Sequence, residues 1–380
     1  MAATGVSMPT DAPRERPEWL ENLAGQALAL VVALLIALLL GSLIIFAYGE
    51  SPATVYGAIF HFGFGSKDGF GYVLTEATPL IFSALAVAVC FKGGMFNIGV
   101  EGQYLVGMVT ASWAALKLDF LPGPLLMWTA ILFGMLGGIV FALVPAILKV
   151  KTGAHEVVTT IMLNYVAFSV LAAAVSGPLR VPQAQAPITY EVGNAALPIV
   201  LGSTGHIGIF IALAMVAVVW FLLFRTTLGF EIRTAGVNPE AARYAGMRPR
   251  RLIILTMTMS AGLAGMAGAN ELLGVTHLTT TSFATSVGFD SIAVALLARS
   301  NPIAVIPAAI LFGAMRAGAG QMQIEARTPR ELVDVLQAVI LIVLVALPVL
   351  ARAIAGRGSR EFGAEAQQIT RSYGSESVPS

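Results

Sequence analysis

Long apolar runs are the feature that most constrains what this sequence can fold into. They recur along the whole 380-residue chain, of which only 11% is charged. A soluble domain has roughly a quarter of its residues charged. A helix of about 20 apolar residues crosses a bilayer, because backbone polar groups in lipid must be paired within the segment. The sequence therefore predicts an all-α, polytopic membrane protein.

The apolar runs predict about ten transmembrane helices, within a range of eight to ten. The first run is too long for a signal-peptide core and is interpreted as a retained span. We expect a cytoplasmic tail at 1–25, a transmembrane permease domain at 26–352 and a second cytoplasmic tail at 353–380. The predicted spans are 27–48, 73–91, 101–117, 125–148, 157–176, 207–224, 252–273, 287–299, 302–319 and 332–351.

The distribution of basic residues predicts the orientation. With the N-terminus in the cytoplasm, sixteen of the 22 Lys and Arg residues lie on the cytoplasmic side of these spans. Cytoplasmic loops carry an excess of Lys and Arg, so both termini are predicted to be cytoplasmic. The longest external loop is then 177–206, and residues 225–251 form a cytoplasmic segment.

The sequence offers no support for an enzyme, a metal site or a nucleic-acid partner. No Lys follows a Gly, so the phosphate-binding motif GxxxxGK[ST] is absent. His155 and Glu156 begin like the zinc motif HExxH, but Thr159 replaces the second His, and the other His residues are scattered. The single Cys90 lies in an apolar run, and basic residues are not clustered as nucleic acid requires. No cofactor is predicted.

Residues 235–246, AGVNPEAARYAG, predict a short capped helix between two spans. Asn238 is a good N-cap, Pro239 suits the first helical position, and Gly246 can adopt the left-handed conformation after the helix. Such a short helix is marginal in water, so packing must stabilise it. Either a cytoplasmic partner docks on the small side chains of the helix, or the helix merely joins two spans. The small residues concerned are Ala241, Ala242 and Ala245.

Two segments resemble the permease subunits of ABC importers for simple sugars, nucleosides and branched-chain amino acids. RTAGVNPEAARYAG is similar to the segment that inserts into the ATP-hydrolysing subunit in that family. GGMFNIGVEGQYLVG, residues 93–107, is similar to the family segment between the second and third spans. Residues 77–89 and 153–167 look most like the nucleoside branch. The ATPase-coupling residues that the first match implies are Arg233, Gly236, Asn238, Ala241, Ala242 and Gly246. Arg243, which shares one side of the short helix with Glu240, is a further coupling candidate.

The resemblance implies a subunit that moves a nucleoside or related small polar solute across the bacterial plasma membrane by alternating access. It also implies an ABC ATPase chain, a second permease chain (the same or homologous) and an extracytoplasmic solute-binding protein as partners. Ribose, another simple sugar and branched-chain amino acids remain alternative cargoes. An ion-coupled secondary carrier is a further alternative, but it usually has a membrane-centred acid, whereas Glu76, Glu271 and Asp290 are predicted near outer helix ends.

Polar residues inside or beside the spans are the remaining candidates. The glycine-rich stretch Gly93 to Gly102 interrupts the helical pattern after the second span. Irregular backbone at membrane depth must be buried in protein or line a cavity. Asn97, Glu101 and Gln103 either support this broken helix, which we favour, or face the solute. Asn164 and Asn270 are candidate pathway residues, as are Thr279 to Thr281, Phe283 and Phe289, although amides also join helices in lipid.

Overall fold

The computed structural model describes residues 32, 35–281, 286–325, 328–329 and 331–354. The predicted tail at 1–25, residues 355–380 of the predicted tail at 353–380 and the candidate Phe283 therefore lie outside the described residues. The described chain is almost entirely helical, as predicted. Its helices are α1 (Leu35–Ala47), α2 (Pro52–Phe64), α3 (Lys67–Lys92), α4 (Val100–Lys117), α5 (Gly123–Thr152), α6 (Glu156–Ser176), α7 (Gly208–Arg225), α8 (Thr227–Val237), α9 (Pro239–Tyr244), α10 (Pro249–Glu271), α11 (Val287–Leu297), α12 (Pro302–Glu325) and α13 (Glu331–Ile354).

Six of the described helices are long and apolar enough to cross a membrane by themselves. They are α3, α5, α6, α7, α12 and α10 together with the π-helical turn Leu272–Thr276 that continues it. The 18-residue α4, the shorter apolar α11 and the 24-residue α13 occupy three further predicted spans. Helix α2 was not predicted. It follows α1 after a bend of 118°, so the first predicted span ends in a broken or re-entrant pair.

Helices α3, α4 and α10 form the centre of the bundle. The stretch Ala77–Cys90 of α3 is completely enclosed, and most of α4 is buried as well. Helix α5 packs against both α4 and α10, and α12 packs against α3. At one end of the bundle, residues 177–206 form a loop with a 3-10 turn (Gly193–Ala195) and a short antiparallel pair, β1 (Ile199–Leu201) and β2 (Gly205–His206).

Glycines set the close crossing of α4, α5 and α10. A Cβ added to Gly265 of α10 would overlap the carbonyl oxygen of Gly134, and one added to Gly138 would overlap the carbonyl oxygen of Ala261. A Cβ on Gly107 of α4 would likewise collide with the backbone of Gly265. The glycine repeats in these helices therefore serve packing, which is the role that small residues have at helix crossings in membranes.

We expect Gly265→Val to destabilise the bundle, because the added side chain meets the backbone of α5 at Gly134 and Gly138. Overpacked substitutions cost about 1–3 kcal/mol, and contact with backbone places this one at the upper end. The measurement is the thermal unfolding midpoint of the purified protein in detergent. Gly57→Val is the control, since no atom lies within 4 Å of a Cβ at Gly57. Equal midpoints for the two variants would contradict the assigned packing role.

Candidate coupling and translocation site

The predicted short helix is present as α9, and its caps are those expected from the sequence. The Asn238 side chain accepts hydrogen bonds from the backbone N–H groups of Glu240 and Ala241, both at 3.0 Å. Gly246 follows the helix with φ of 81°, in the left-handed region that favours glycine. Arg243 donates to Glu240 at 3.1 Å, and both side chains are two-thirds exposed. We refer to residues 225–251, which contain α8 and α9, as the coupling segment.

The exposed surface of α9 differs from the predicted one. Ala242 is completely buried, so the prediction that its side chain offers a docking surface is wrong. Ala241 and Ala245 are exposed, and Tyr244 is 88% exposed at the end of the helix. An aromatic side chain that projects from a short polar helix is the kind of residue that anchors protein–protein interfaces.

Gly236 connects the coupling segment to the centre of the bundle. The chain between α3 and α4, residues 93–99, is the glycine-rich break, and it lies directly against α8. A Cβ on Gly236 would lie 2.5 Å from the Lys92 carbonyl oxygen and 2.7 Å from the backbone nitrogen of Gly94. Gly94 itself has φ of 69°, and a Cβ there would meet the backbone of Gly236. Two backbones thus pack without intervening side chains.

Arg233 contacts its own part of the chain. Its guanidinium lies 5.0 Å from the centre of the Phe224 ring, and its Nε donates to the Gly229 carbonyl at 3.4 Å. Such a cation–π contact fixes the side chain across the junction of α7 and α8. In the described structure Arg233 therefore stabilises the base of the coupling segment.

Buried amides support the break from inside the bundle. The Asn97 Nδ2 group donates to Gln103 Oε1 and to Ser260 Oγ, both at 2.9 Å, and Asn97 Oδ1 accepts from the Gly99 N–H at 3.0 Å. Gln103 Nε2 donates back to Asn97 Oδ1 at 3.2 Å. Both side chains are almost completely buried. This geometry agrees with the structural alternative, in which Asn97 and Gln103 support the broken helix.

Asn164 and Glu101 extend the support to two further helices. From α6, Asn164 Oδ1 accepts from the Gly102 N–H at 2.9 Å and its Nδ2 donates to the Ile98 carbonyl at 3.0 Å. Glu101 Oε2 accepts from the Gly288 N–H at 2.7 Å, at the first turn of α11. Asn164 is 4% exposed and Glu101 is inaccessible. In the described structure both side chains therefore bind backbone groups and do not line an open pathway.

A buried ion pair stabilises the turn between α5 and α6, beside the break. Lys149 Nζ, in the last turn of α5, donates to Glu156 Oε2 at 2.6 Å in the first turn of α6. Glu156 is the residue that superficially suggested a zinc motif. Its carboxylate is instead neutralised by a lysine, and the described residues contain no group of three or more potential metal ligands.

Asn270 lies in a second polar region, near the opposite end of α10 from the coupling segment. Its Nδ2 group is buried and has no hydrogen-bond partner among the described residues, and the same holds for Nε2 of His206. The two His residues that were expected to be scattered, His206 and His277, interact in this region. Burial and the neighbouring His277 lower the pKa of His206 to about 4, so this imidazole is neutral at physiological pH.

Of the three membrane acids predicted near outer helix ends, Glu271 is the last residue of α10 and Asp290 lies in the first turn of α11, whereas Glu76 lies nine residues inside α3. Glu76 Oε2 lies 3.4 Å from Arg316 Nε, and Asp290 Oδ2 lies 3.4 Å from Arg316 NH1. Arg316 lies nine residues before the end of α12, because that helix continues to Glu325, beyond the predicted end of the span at residue 319. Glu271 is close enough to interact electrostatically with Glu76 and Arg316. Glu76, Asp290 and Arg316 form the charged triad.

Comparison with known proteins identifies the family to which this architecture belongs. The family described as "Branched-chain amino acid transport system / permease component" matches residues 69–345. The chain belongs to this permease family. It is therefore the membrane-spanning permease component of an ABC transport system, as its sequence motifs indicated.

Several relatives of this permease are known by name. It is 38% identical over 320 residues to the guanosine ABC transporter permease protein of Bacillus subtilis (strain 168), covering 82% of this chain and 91% of the relative. It is 33% identical to a nucleoside ABC transporter permease protein of Lactococcus lactis, covering 85% and 91% of the two chains. It is 30% identical to a glucose ABC transporter permease protein of Haloferax volcanii, covering 90% and 91%.

We expect Asn164→Ala to destabilise the permease by about 1–3 kcal/mol for each backbone group that it leaves buried and unpaired. The two groups are the Gly102 N–H and the Ile98 carbonyl. Hydrogen exchange followed by mass spectrometry should show faster exchange in residues 98–103. Asn194→Ala, at an exposed position in the 177–206 loop, is the matched control. Unchanged protection at 98–103 would contradict the supporting role of Asn164.

Proposed function

We propose that this permease imports a nucleoside across the bacterial plasma membrane, driven by ATP hydrolysis in a separate ATPase subunit. The guanosine and nucleoside permeases among its relatives, which align over most of both chains, support this cargo. The glucose permease relative keeps a simple sugar as the second candidate. Both cargoes are uncharged and rich in hydroxyl groups, so their pathway requires hydrogen-bonding partners.

We propose that the coupling segment transmits the motion of the ATPase to the permease. The packing of Gly236 on Gly94 is the observation that carries this proposal, because it joins the exposed helix α9 to the buried break with no compressible side chain between them. A displacement of α8 must therefore move the break or separate the two backbones. An ATPase that binds α9 and changes shape on nucleotide binding would transmit its motion through this contact.

The proposed assembly follows from this arrangement. The ATPase binds α9 on the cytoplasmic side, a second permease chain of the same or homologous sequence completes the pathway, and an external binding protein delivers the solute. Both termini are then cytoplasmic, in agreement with the excess of Lys and Arg near the coupling segment.

Guanosine uptake into vesicles that persists after dissipation of the proton gradient, and stops on ATP depletion, would support this proposal. The opposite pattern would favour an ion-coupled carrier.

We expect Gly236→Val to abolish solute uptake while the protein still inserts into the membrane. The new side chain must push α8 away from the break, so ATPase motion no longer reaches the bundle. Uptake of radiolabelled guanosine and ATP hydrolysis should be measured together in vesicles containing the complete transporter. Gly320→Val is the control, because a Cβ at Gly320 has no atom within 4 Å. Normal uptake by Gly236→Val would refute the coupling contact.

We expect Tyr244→Ala to weaken binding of the ATPase subunit by about 10-fold or more, because exposed aromatic anchors commonly contribute 2 kcal/mol or more to an interface. The measurement is the amount of ATPase that co-purifies with the permease, with the dissociation rate as a second measure. Tyr190→Ala is the matched control, since Tyr190 is also exposed but lies in the 177–206 loop at the other end of the bundle. If both variants retain the ATPase equally, α9 is not its docking site.

A further inference from the structure

Two members of the charged triad lie well inside the helices that carry them. Glu76 is nine residues, or about 14 Å, from the start of α3, and Arg316 is nine residues from the end of α12. Asp290 belongs to the first turn of α11, beside the Gly288 N–H that binds Glu101. Three helices thus bring charged groups together well inside the bundle.

The triad is partly accessible, although Glu76 and Arg316 are each nine residues from the nearer end of their helix. The side chains of Glu76, Arg316 and Asp290 are 36%, 24% and 19% exposed. Charged groups that face hydrocarbon at such depth are very costly, and intramembrane charges almost always face a bundle interior or a water-filled cavity. The accessible side of the triad therefore faces an aqueous pathway, which is where a transported solute passes.

The chemistry of the triad indicates the kind of solute that it accepts. Ionised carboxylates only accept hydrogen bonds, and a guanidinium only donates them. Together they match an uncharged molecule that has both hydroxyl or N–H donors and oxygen or nitrogen acceptors. Two carboxylates surround one guanidinium, so the triad carries a net negative charge and repels anions. Glu271, which lies in electrostatic range, strengthens this bias when it is ionised.

Neighbouring groups supply a surface for the rest of such a solute. Phe289 precedes Asp290 and is 47% exposed at the same turn of α11. An exposed ring beside hydrogen-bonding groups suits the flat face of a nucleobase. Beside Glu271, Asn270 carries a buried Nδ2 group without a hydrogen-bond partner among the described residues. A donor left unpaired at this depth is costly unless water or a solute satisfies it in some state of the protein.

We propose that Glu76, Asp290 and Arg316 form a solute-recognition site in the pathway, which accepts uncharged nucleosides and rejects phosphorylated or otherwise anionic ones. The inference rests on the proposed function, since it assigns a selective step to the same pathway. The carboxylates bind hydroxyl or N–H donors of the nucleoside, and Arg316 both orients the carboxylates and donates to solute acceptors. Charge selection at this site acts after the solute has left the binding protein.

The test is equilibrium binding to the complete transporter, assembled with its ATPase and second permease chain in lipid nanodiscs without binding protein. The probes are radiolabelled guanosine and guanosine 5′-monophosphate. We expect the wild type to bind guanosine at least 10-fold more tightly than the monophosphate. Glu76→Gln and Asp290→Asn should each weaken guanosine binding by about 10-fold, the scale of a hydrogen bond to a charged group. Each variant should also reduce the ratio of guanosine affinity to monophosphate affinity several-fold, because a repelling charge is removed.

Asp68→Asn is the matched control, since it removes a carboxylate charge from the exposed first turn of the same helix α3. It should leave both affinities unchanged. Guanosine affinity that is unaffected in both triad variants would overturn the inference, as would an equal loss for both probes, which a purely structural role predicts. If wild-type vesicles with ATP and binding protein accumulate no guanosine, the proposed function fails. If they do, and the triad variants bind like the wild type, only this inference fails.

Discussion

The structure depends on satisfying the backbone of the glycine-rich break within the membrane-spanning bundle. Between Lys92 and Val100 the chain leaves its helix, so its peptide groups lose the partners that a continuous span would provide. Asn97, Gln103 and Asn164 replace those partners with buried hydrogen bonds. The break can therefore exist at this depth, and its exposed backbone is what permits the close approach of Gly236.

The same break connects the two proposed working parts of the permease. On one side, Gly94 packs against Gly236 of the coupling segment. On the other side, Glu101 binds the N-terminal turn of α11, which carries Asp290 of the charged triad. On the proposed coupling, a movement of α8 would reach Arg316 and Glu76 through the Gly94–Gly236 backbone contact, the Glu101–Gly288 hydrogen bond and the ion pairs of the triad. Close-packed elements of this kind shift between discrete arrangements, which is what alternating access requires.

The sequence predicted the class of fold and most helices, because apolar length and cap residues are local signals. The caps of α9 at Asn238 and Gly246 are correct for that reason. Helix α2 was missed although Gly49, Ser51 and Pro52 are typical of a helix end followed by a new helix start, because its 13 residues are too few for a span. The triad was missed for a different reason. Residues 76, 290 and 316 are far apart in the chain, so only the packing of α3, α11 and α12 shows that each charge has a partner. Ala242 was misassigned because a small side chain gives no indication of which side of a six-residue helix is buried.

The polarity of the outer surfaces supports the proposal that a second permease chain completes the pathway. Helix α5 presents a stripe of exposed apolar side chains at four-residue spacing, which suits lipid: Trp128, Leu132, Leu136, Val140 and Val144. The centre of the bundle is closed, because glycines bring α4, α5 and α10 into backbone contact and leave no room for a nucleoside. The accessible charges lie elsewhere, on α3, α11 and α12. The proposed pathway beside the triad would then run along one side of the bundle, where the proposed second permease chain would keep these charges away from lipid.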